Sequence, residues 1–237
     1  MSVSSPAGSL PDVGVVVVAA GAGVRAGPGE PKQFRSIGGV PMLLRALRHF
    51  LGHPDVARIV VTLPAAIAQR PPAWLVAVLS ERLSAVAGGA MRADSVRAGL
   101  RWLGPPPAVV LVHDAARPFV SPTTIAAVIE RVRTGVGAVA AIPVGDTIKD
   151  VDDDGRVART IPRARLWRAQ TPQGFPGRML VDAYARWPSD GAPPTDDAEV
   201  VEQAGFPVEV VQGSPRNLKI TTEDDWRLAE ILAREEE

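Results

Sequence analysis

Glycines and two cations crowd one short stretch of this sequence: Ala19-Ala20-Gly21-Ala22-Gly23-Val24-Arg25, then Gly27, Gly29 and Lys32. Glycines just beyond a strand let backbone N–H groups close around a phosphate, because no Cβ blocks the approach. Two common phosphate loops do not fit. A Walker loop needs G-x-x-x-x-G-K-[ST], but Lys32 follows Pro31 and precedes Gln33. A dinucleotide fingerprint needs its third glycine one residue earlier than Gly27 and a helix directly after it, whereas Pro28 and Pro31 follow here. What remains is a long loop carrying Arg25 and Lys32 back over a strand end, suited to a triphosphate. A second chemical position is Asp114, which ends the apolar run Ala108–Val112 one residue after His113. A carboxylate at the carboxyl edge of an α/β sheet suits Mg²⁺, which binds through one or two carboxylates plus phosphate oxygens; the alternative is a helix cap for the following segment. His113 itself reads as a packed, hydrogen-bonded residue rather than a base, and His49 and His53 receive no role.

Two further features bear on chemistry. Gly88-Gly89 through Ser95 joins a strand to a helix and leaves room for a base against backbone; Ser95 could cap that helix, and Arg92 could clamp the loop. Only Lys32, Lys149 and Lys219 among the 26 basic residues are lysine. Where arginine is so favoured, a retained lysine suggests a need for a compact, flexible point charge.

These residues need a frame. Val13–Ala20 is a continuous β-branched run suited to a strand buried on both faces, and similar runs recur at Val56–Leu63, Leu83–Ala87, Ala108–Val112 and Ala138–Pro143. Between them lie helical spacings: Pro41–Leu51, with Pro41 at the first helical position, and a helix opened by Ser121-Pro122 and running through Arg133. Alternating strands and helices predict an α/β fold, three-layer and doubly wound around a mostly parallel sheet. The rhythm breaks at Thr147–Val151, Asp152–Gly155 and Arg156–Ile161, which read as a hairpin lying over the sheet or reaching for a second subunit. Helices near Pro176–Trp187 and Asp196–Ala204, a strand at Val208–Val211 and a last helix from Thr222 complete the chain. Met1–Asp12, small and polar, reads as a disordered tail, and residues 13–237 as one domain with an arm at about 145–165.

Composition sets outer limits. With 237 residues, 46% hydrophobic and 22% charged, the chain can bury a sizeable core. The absence of cysteine excludes a disulfide scaffold, a zinc–thiolate site and a thiol nucleophile. No apolar run nears the roughly 20 residues a bilayer span requires. Twenty-six basic residues balance 26 acidic ones, so bulk charge suggests neither nucleic acid nor a membrane surface as partner. The missing signal sequence and missing cysteines favour the cytoplasm.

The Ala-Ala-Gly loop with Pro31-Lys32-Gln33 resembles the nucleotide loop of sugar-nucleotide-type nucleotidyltransferases. Six more segments resemble, in order, the 2-C-methyl-D-erythritol 4-phosphate cytidylyltransferase family: Gly88–Val96, His113–Pro118, Asp146–Lys149, Thr171–Gln173, Thr195–Ala198 and Asn217–Lys219. The resemblance covers nearly the whole chain and implies a Rossmann-like nucleotidyltransferase fold and transfer of CMP from CTP to a polyol phosphate, with Mg²⁺ or another divalent cation. It implies that Ala19, Ala20, Gly21, Ala22, Gly23, Gly89, Arg92, Ser95 and Asp114 bind the nucleotide. Arg25 and Lys32 would take the triphosphate, and Lys219 the α-phosphate together with the incoming phosphate. Arg117, Thr171, Thr195, Asp114 and Lys219 would line the acceptor pocket. The hairpin would be a dimerisation arm whose Thr147 and Arg163 reach a neighbouring subunit's site; its other reading is a solvated hairpin, and Lys149 is more readily structural. Thr195 could alternatively cap the helix after Pro194. A ribitol 5-phosphate cytidylyltransferase and a catalytically silent nucleotide-binding protein on this fold are the alternatives. Ala90 stands where the family often has an acidic residue.

Overall fold

A computed structural model describes residues 10–21, 31–188 and 192–236. In chain order the elements are β1 (Val13–Val18), β2 (Ser36–Ile37), β3 (Val40–Pro41), α1 (Met42–Leu51), β4 (Val56–Leu63), α2 (Ala65–Gln69), α3 (Ala73–Val76), β5 (Leu83–Ala87), α4 (Arg92–Leu103), β6 (Val109–Asp114), α5 (Pro122–Val132), β7 (Gly137–Pro143), β8 (Ile148–Val151), β9 (Val157–Ile161), β10 (Trp167–Pro176), α6 (Gly177–Arg186), α7 (Asp197–Gln203), β11 (Val208–Gln212) and α8 (Glu223–Arg234). Seven strands form one sheet in the order β11-β7-β10-β6-β1-β4-β5. All neighbours are parallel except β10, which runs antiparallel to both β6 and β7. The expected mostly parallel α/β architecture is thus observed, with a reversed strand near its middle that the apolar pattern did not announce.

The two faces follow from the period of two along a strand. Val13, Val15 and Val17 of β1 join one buried cluster with Leu43, Leu47 and Phe50 of α1 and Ile125, Val128, Ile129 and Val132 of α5. Val16 points the other way, toward Val96, Leu100 and Leu103 of α4, Leu180 of α6 and Val201 of α7. A sheet covered on both faces needs apolar residues at consecutive positions, which is why β1 reads as an almost unbroken run of valine. A third cluster docks α8 through Trp226, Ala229, Leu232 and Ala233 on Ile37, Met42 and Phe119, closing the edge of the fold where Lys219 lies.

Helix ends follow local chemistry, with one difference. Ser121 accepts the Thr124 N–H at 3.1 Å and Pro122 begins α5, as its residues suggest. Pro41 is not the first helical residue: it has extended backbone, ends β3 and stands at the cap, and α1 begins at Met42. Asp12 is tied to the fold, its N–H bonding the Asp55 carbonyl at 3.1 Å and its carboxylate meeting Arg133 at 2.7 Å. Residues 1–9 of the tail lie outside the described residues. β8 and β9 form a separate two-stranded sheet with β9 almost wholly exposed. Its turn is set by Asp152, whose carboxylate accepts the N–H groups of Asp154 and Arg156, and by Gly155 at φ +77°. No helix among the described residues is long and apolar enough to cross a membrane.

Candidate active site

The carboxyl ends of β1, β5 and β6 meet at a cleft of about 480 Å³ lined by Ala19, Ala20, Gly21, Lys32, Gly89, Arg92, Ser95, Asp114 and Lys219, among others. Residues singled out from the sequence therefore come together, although they are spread along the chain from Ala19 to Lys219. Arg25, Ala22 and Gly23, assigned there from sequence, lie outside the described residues. Crossover connections deposit each strand end at the same edge, and ligands bind such sheets there.

Asp114 is the electrostatic centre of the cleft. Its Oδ2 accepts from Lys219 Nζ at 2.8 Å and its Oδ1 from Arg92 Nε at 3.2 Å. It caps no helix; both oxygens face cations. Burial by itself would raise its pKa, but Arg92, Lys219 and Arg117 outweigh that and hold the carboxyl well below the usual carboxylate range. It is therefore ionised at any pH the protein meets. Lys32, in the short helical turn Lys32–Phe34, donates from Nζ to the Ile220 carbonyl at 2.9 Å, so the two lysines converge on the segment that precedes α8.

That segment is held from below. Asn217, fully buried, donates to the Thr171 carbonyl at 2.8 Å, and its own carbonyl accepts from Arg117 Nη1 at 2.8 Å and Gln170 Nε2 at 3.2 Å. The Asp225 carboxylate takes the N–H groups of Thr221 and Thr222 and the Thr221 hydroxyl, each at 2.8 Å. Gln33 is a comparable device at the other wall: its amide donates to the Ala19 carbonyl at 2.7 Å and the Gly21 carbonyl at 3.3 Å, fixing where the glycine-rich loop leaves β1. Gln33 and Asn217 were not assigned roles from sequence. Each stood near an assigned lysine, but an amide announces nothing until its carbonyl partners are known.

The partners of the remaining assigned residues decide between several of their alternative readings. Ser95 is no helix cap: it sits in the first turn of α4, fully buried, taking the Gly89 N–H and donating to the Met91 carbonyl, both at 3.2 Å. Capping falls to Asp94, which accepts the Met91 N–H at 3.2 Å. The glycines permit close packing at this turn: a Cβ on Gly88 would lie 2.5 Å from the Ala20 Cβ, and one on Gly89 would lie 2.2 Å from the Asp94 Cβ. Arg92 does not clamp its own loop; it spans Asp114 and Asp197, whose carboxylate it meets at 2.7 Å. Thr195 is exposed and does not cap the next helix. Asp196 does, accepting the Glu199 N–H at 2.9 Å, while Thr195 donates to Glu199. Thr147 and Arg163 are exposed on the arm; Arg163 donates to the Gly145 carbonyl of its own chain, and Lys149 donates to Thr160 at 2.7 Å across the hairpin.

Behind Asp114 runs a buried chain of hydrogen bonds in which every donor can be assigned. The Arg117 carbonyl only accepts, so His113 Nε2, 3.0 Å away, carries the proton. Nδ1 must then accept, and its partner at 3.0 Å is the Thr171 hydroxyl. That hydroxyl still accepts the Asp114 N–H at 3.0 Å. Thr171, expected in the acceptor pocket, thus has its hydroxyl engaged beneath the site, and Arg117 lies alongside it, bonded to the Asn217 carbonyl and 9% exposed. Burial pushes the His113 pKa down to about 4, so it is neutral and is no general base. In the unfolded chain a histidine titrates near 6.5. Its contribution to stability is therefore complete above about pH 6.5 and lost as pH falls toward 4, a loss on the order of 3 kcal/mol. Chemical denaturation at pH 7 and pH 4.5 should show this loss, and His113→Gln should flatten the slope.

A mostly parallel α/β sheet, one reversed strand and a cationic cleft at its carboxyl edge define a nucleotidyltransferase-like fold. The backbone matches the 4-diphosphocytidyl-2C-methyl-D-erythritol synthase of Anaerococcus prevotii with a TM-score of 0.82 at 26% identity, covering 95% of this chain and 100% of that one. It matches the 2-C-methyl-D-erythritol 4-phosphate cytidylyltransferase of Thermus thermophilus with a TM-score of 0.77 at 36% identity, covering 94% and 99%. The family model for 2-C-methyl-D-erythritol 4-phosphate cytidylyltransferase matches residues 13–235, and the chain belongs to that family. Among its relatives, the enzyme of that name from Symbiobacterium thermophilum is 43% identical over 94% of both chains, and the one from Nocardia farcinica 46% identical over 92% of both.

Proposed function

We propose that this chain transfers CMP from CTP to 2-C-methyl-D-erythritol 4-phosphate, releasing pyrophosphate, as a step in non-mevalonate isoprenoid precursor biosynthesis. The observation that carries this reading is the convergence of Lys32, Arg92 and Lys219 in one cleft at the strand ends, where Arg92 and Lys219 share one ionised carboxylate. The nucleophile is an oxygen of the acceptor's phosphate monoester, mostly ionised at neutral pH because its second pKa is about 6. It attacks the α-phosphorus, forming one P–O bond as the bond to the bridging oxygen breaks and pyrophosphate leaves. No proton need be removed, which agrees with a site beside which His113 is neutral and buried. The difficulty is bringing two anions together, so fixed cations and in-line placement supply the rate. Lys32, with Arg25, takes the triphosphate; Lys219 serves the α-phosphate and the incoming phosphate.

Mg²⁺ or another divalent cation fits this site in a limited way. Among the described residues no three His, Cys, Asp or Glu side chains group to hold a metal. Asp114 offers a single carboxylate whose oxygens each have one cationic partner and retain lone pairs. Such a donor set suits an ion held mostly by triphosphate oxygens, with Asp114 as its protein ligand. When bound, the ion would neutralise charge on the phosphates.

The exposed hairpin, with Val151 and Val157 more than half exposed, supports its assignment as the dimer arm, with Thr147 and Arg163 serving the neighbouring subunit's acceptor site. Replacement of Arg163 by alanine should then raise KM for the polyol phosphate about tenfold and leave kcat nearly unchanged. An unchanged KM would remove the arm from the site. A cytoplasmic setting belongs to the same reading, supported by a sequence without cysteine. The decisive assay mixes CTP, Mg²⁺ and either 2-C-methyl-D-erythritol 4-phosphate or ribitol 5-phosphate and measures pyrophosphate. Release with the first acceptor and little with the second supports the reading; preference for the second, or no release with either, rejects it.

A further inference from the structure

Arg92 reaches the cleft with a divided guanidinium. Nε and one terminal nitrogen of this side chain point along the same edge and ordinarily grip one carboxylate as a fork. Here the fork is split: Nε faces Asp114 Oδ1 at 3.2 Å, and Nη2 faces Asp197 Oδ2 at 2.7 Å. Asp197 is fully buried and does not line the cleft, so it cannot meet a ligand there. A buried carboxylate away from a ligand is costly unless it is well paired. Asp197 is paired on both oxygens, since the Tyr184 hydroxyl donates to Oδ1 at 2.6 Å, and its backbone N–H is taken by Gln173 Oε1 at 3.0 Å. Residues of α6, α7 and β10 thus immobilise a negative charge beneath Arg92.

We propose that Asp197 is a positioning residue for the transfer reaction, holding one arm of the Arg92 fork so that Asp114 keeps its second oxygen for Lys219. The inference rests on the reading of the cleft as the cytidylyltransferase site. Without Asp197, both fork nitrogens of Arg92 are available to Asp114 and can close on its two oxygens. Lys219 then loses the partner that orients it. A triphosphate entering the cleft would also compete for a loosened Arg92, whereas a guanidinium anchored from below stays in place. Asp197 therefore acts on the reacting groups through Arg92.

The test is a double-mutant cycle on the full chain, using CTP, Mg²⁺ and 2-C-methyl-D-erythritol 4-phosphate. Asp197→Asn keeps the shape and removes the charge, and should lower kcat/KM about tenfold, the size expected within one charged network. Arg92→Lys keeps a cation that cannot span both carboxylates, so in that background Asp197→Asn should cost less than about twofold. Equal losses in both backgrounds would show a general structural effect and overturn the proposal. If Asp197→Asn does not fold, Tyr184→Phe removes only the hydroxyl donor and should lower kcat/KM about threefold, again only with Arg92 present. Wild-type rates in Tyr184→Phe would then overturn it. An inactive wild-type chain would reject the parent reading and this inference together, whereas an active wild type with additive losses rejects only the inference.

Discussion

Replacing Lys32 with alanine is expected to lower kcat by about 10²-fold or more while changing stability by no more than about 0.5 kcal/mol. The first half of that expectation comes from charge. In a transfer between two phosphorylated molecules, negative charge builds on the departing pyrophosphate, and a flexible ammonium at the cleft wall can follow it. The second half comes from position. Lys32 is half-buried at the cleft wall, and its ammonium donates to the Ile220 backbone carbonyl at 2.9 Å. Losing that bond leaves the Ile220 carbonyl beside a cleft that admits water. Steady-state kinetics and thermal unfolding on the same preparation check both halves. A variant that turns over normally would take Lys32 out of the chemistry, and one that unfolds would make it structural.

Asp114→Asn should be nearly as damaging to kcat, about 10²-fold, and in contrast should destabilise the fold by about 1–3 kcal/mol. The carboxylate is the shared counter-charge of Arg92 and Lys219, whose side chains are 25% and 43% exposed. Asparagine preserves the volume but replaces one accepting oxygen with an N–H₂ that meets a cation. Arg92 retains Asp197; Lys219 retains no carboxylate among the described residues. The variant also tests the metal assignment. If Asp114 is a ligand to the divalent ion, the Mg²⁺ concentration giving half-maximal rate rises along with the fall in kcat. A fall in kcat with an unchanged Mg²⁺ requirement would leave Asp114 as an orienting anion for the two cations and place the ion wholly on the triphosphate.

The reversed strand shows why part of the fold escaped the residue pattern. β10 is buried from Gln170 to Phe175, yet its buried stretch reads Gln-Thr-Pro-Gln-Gly-Phe, with no alternation of apolar and polar residues. Its side chains are satisfied by distant groups: Gln170 by Ser214 and Asn217, Thr171 by His113 and Asp114, Gln173 by Asp196, Asp197 and Ala198. A polar residue is admitted to the interior when its hydrogen bonds are made there, and those partners lie tens of residues away. Periodicity measures hydrophobicity along the chain and cannot register them.

What the amino-acid order determined alone is the part governed by local or additive physics. Largely apolar runs placed β1, β4, β5 and β7 within a residue or two, because strands inside a sheet covered on both faces need apolar residues at consecutive positions. Ser121-Pro122 and Thr222 opened their helices because capping is a short-range bond. Glycines, lysines and a strand-terminal aspartate marked where the cleft lies, because phosphate binding needs those groups whatever holds them. The tertiary structure alone decided how the groups are shared. It split Arg92 between Asp114 and Asp197, turned Ser95 inward to Gly89, engaged Thr171 beneath the site and set two amides, Gln33 and Asn217, to fix the cleft walls. Each of these is a choice among competing partners within hydrogen-bond reach, and which partners come within reach depends on how the elements pack, not on their spacing in the chain.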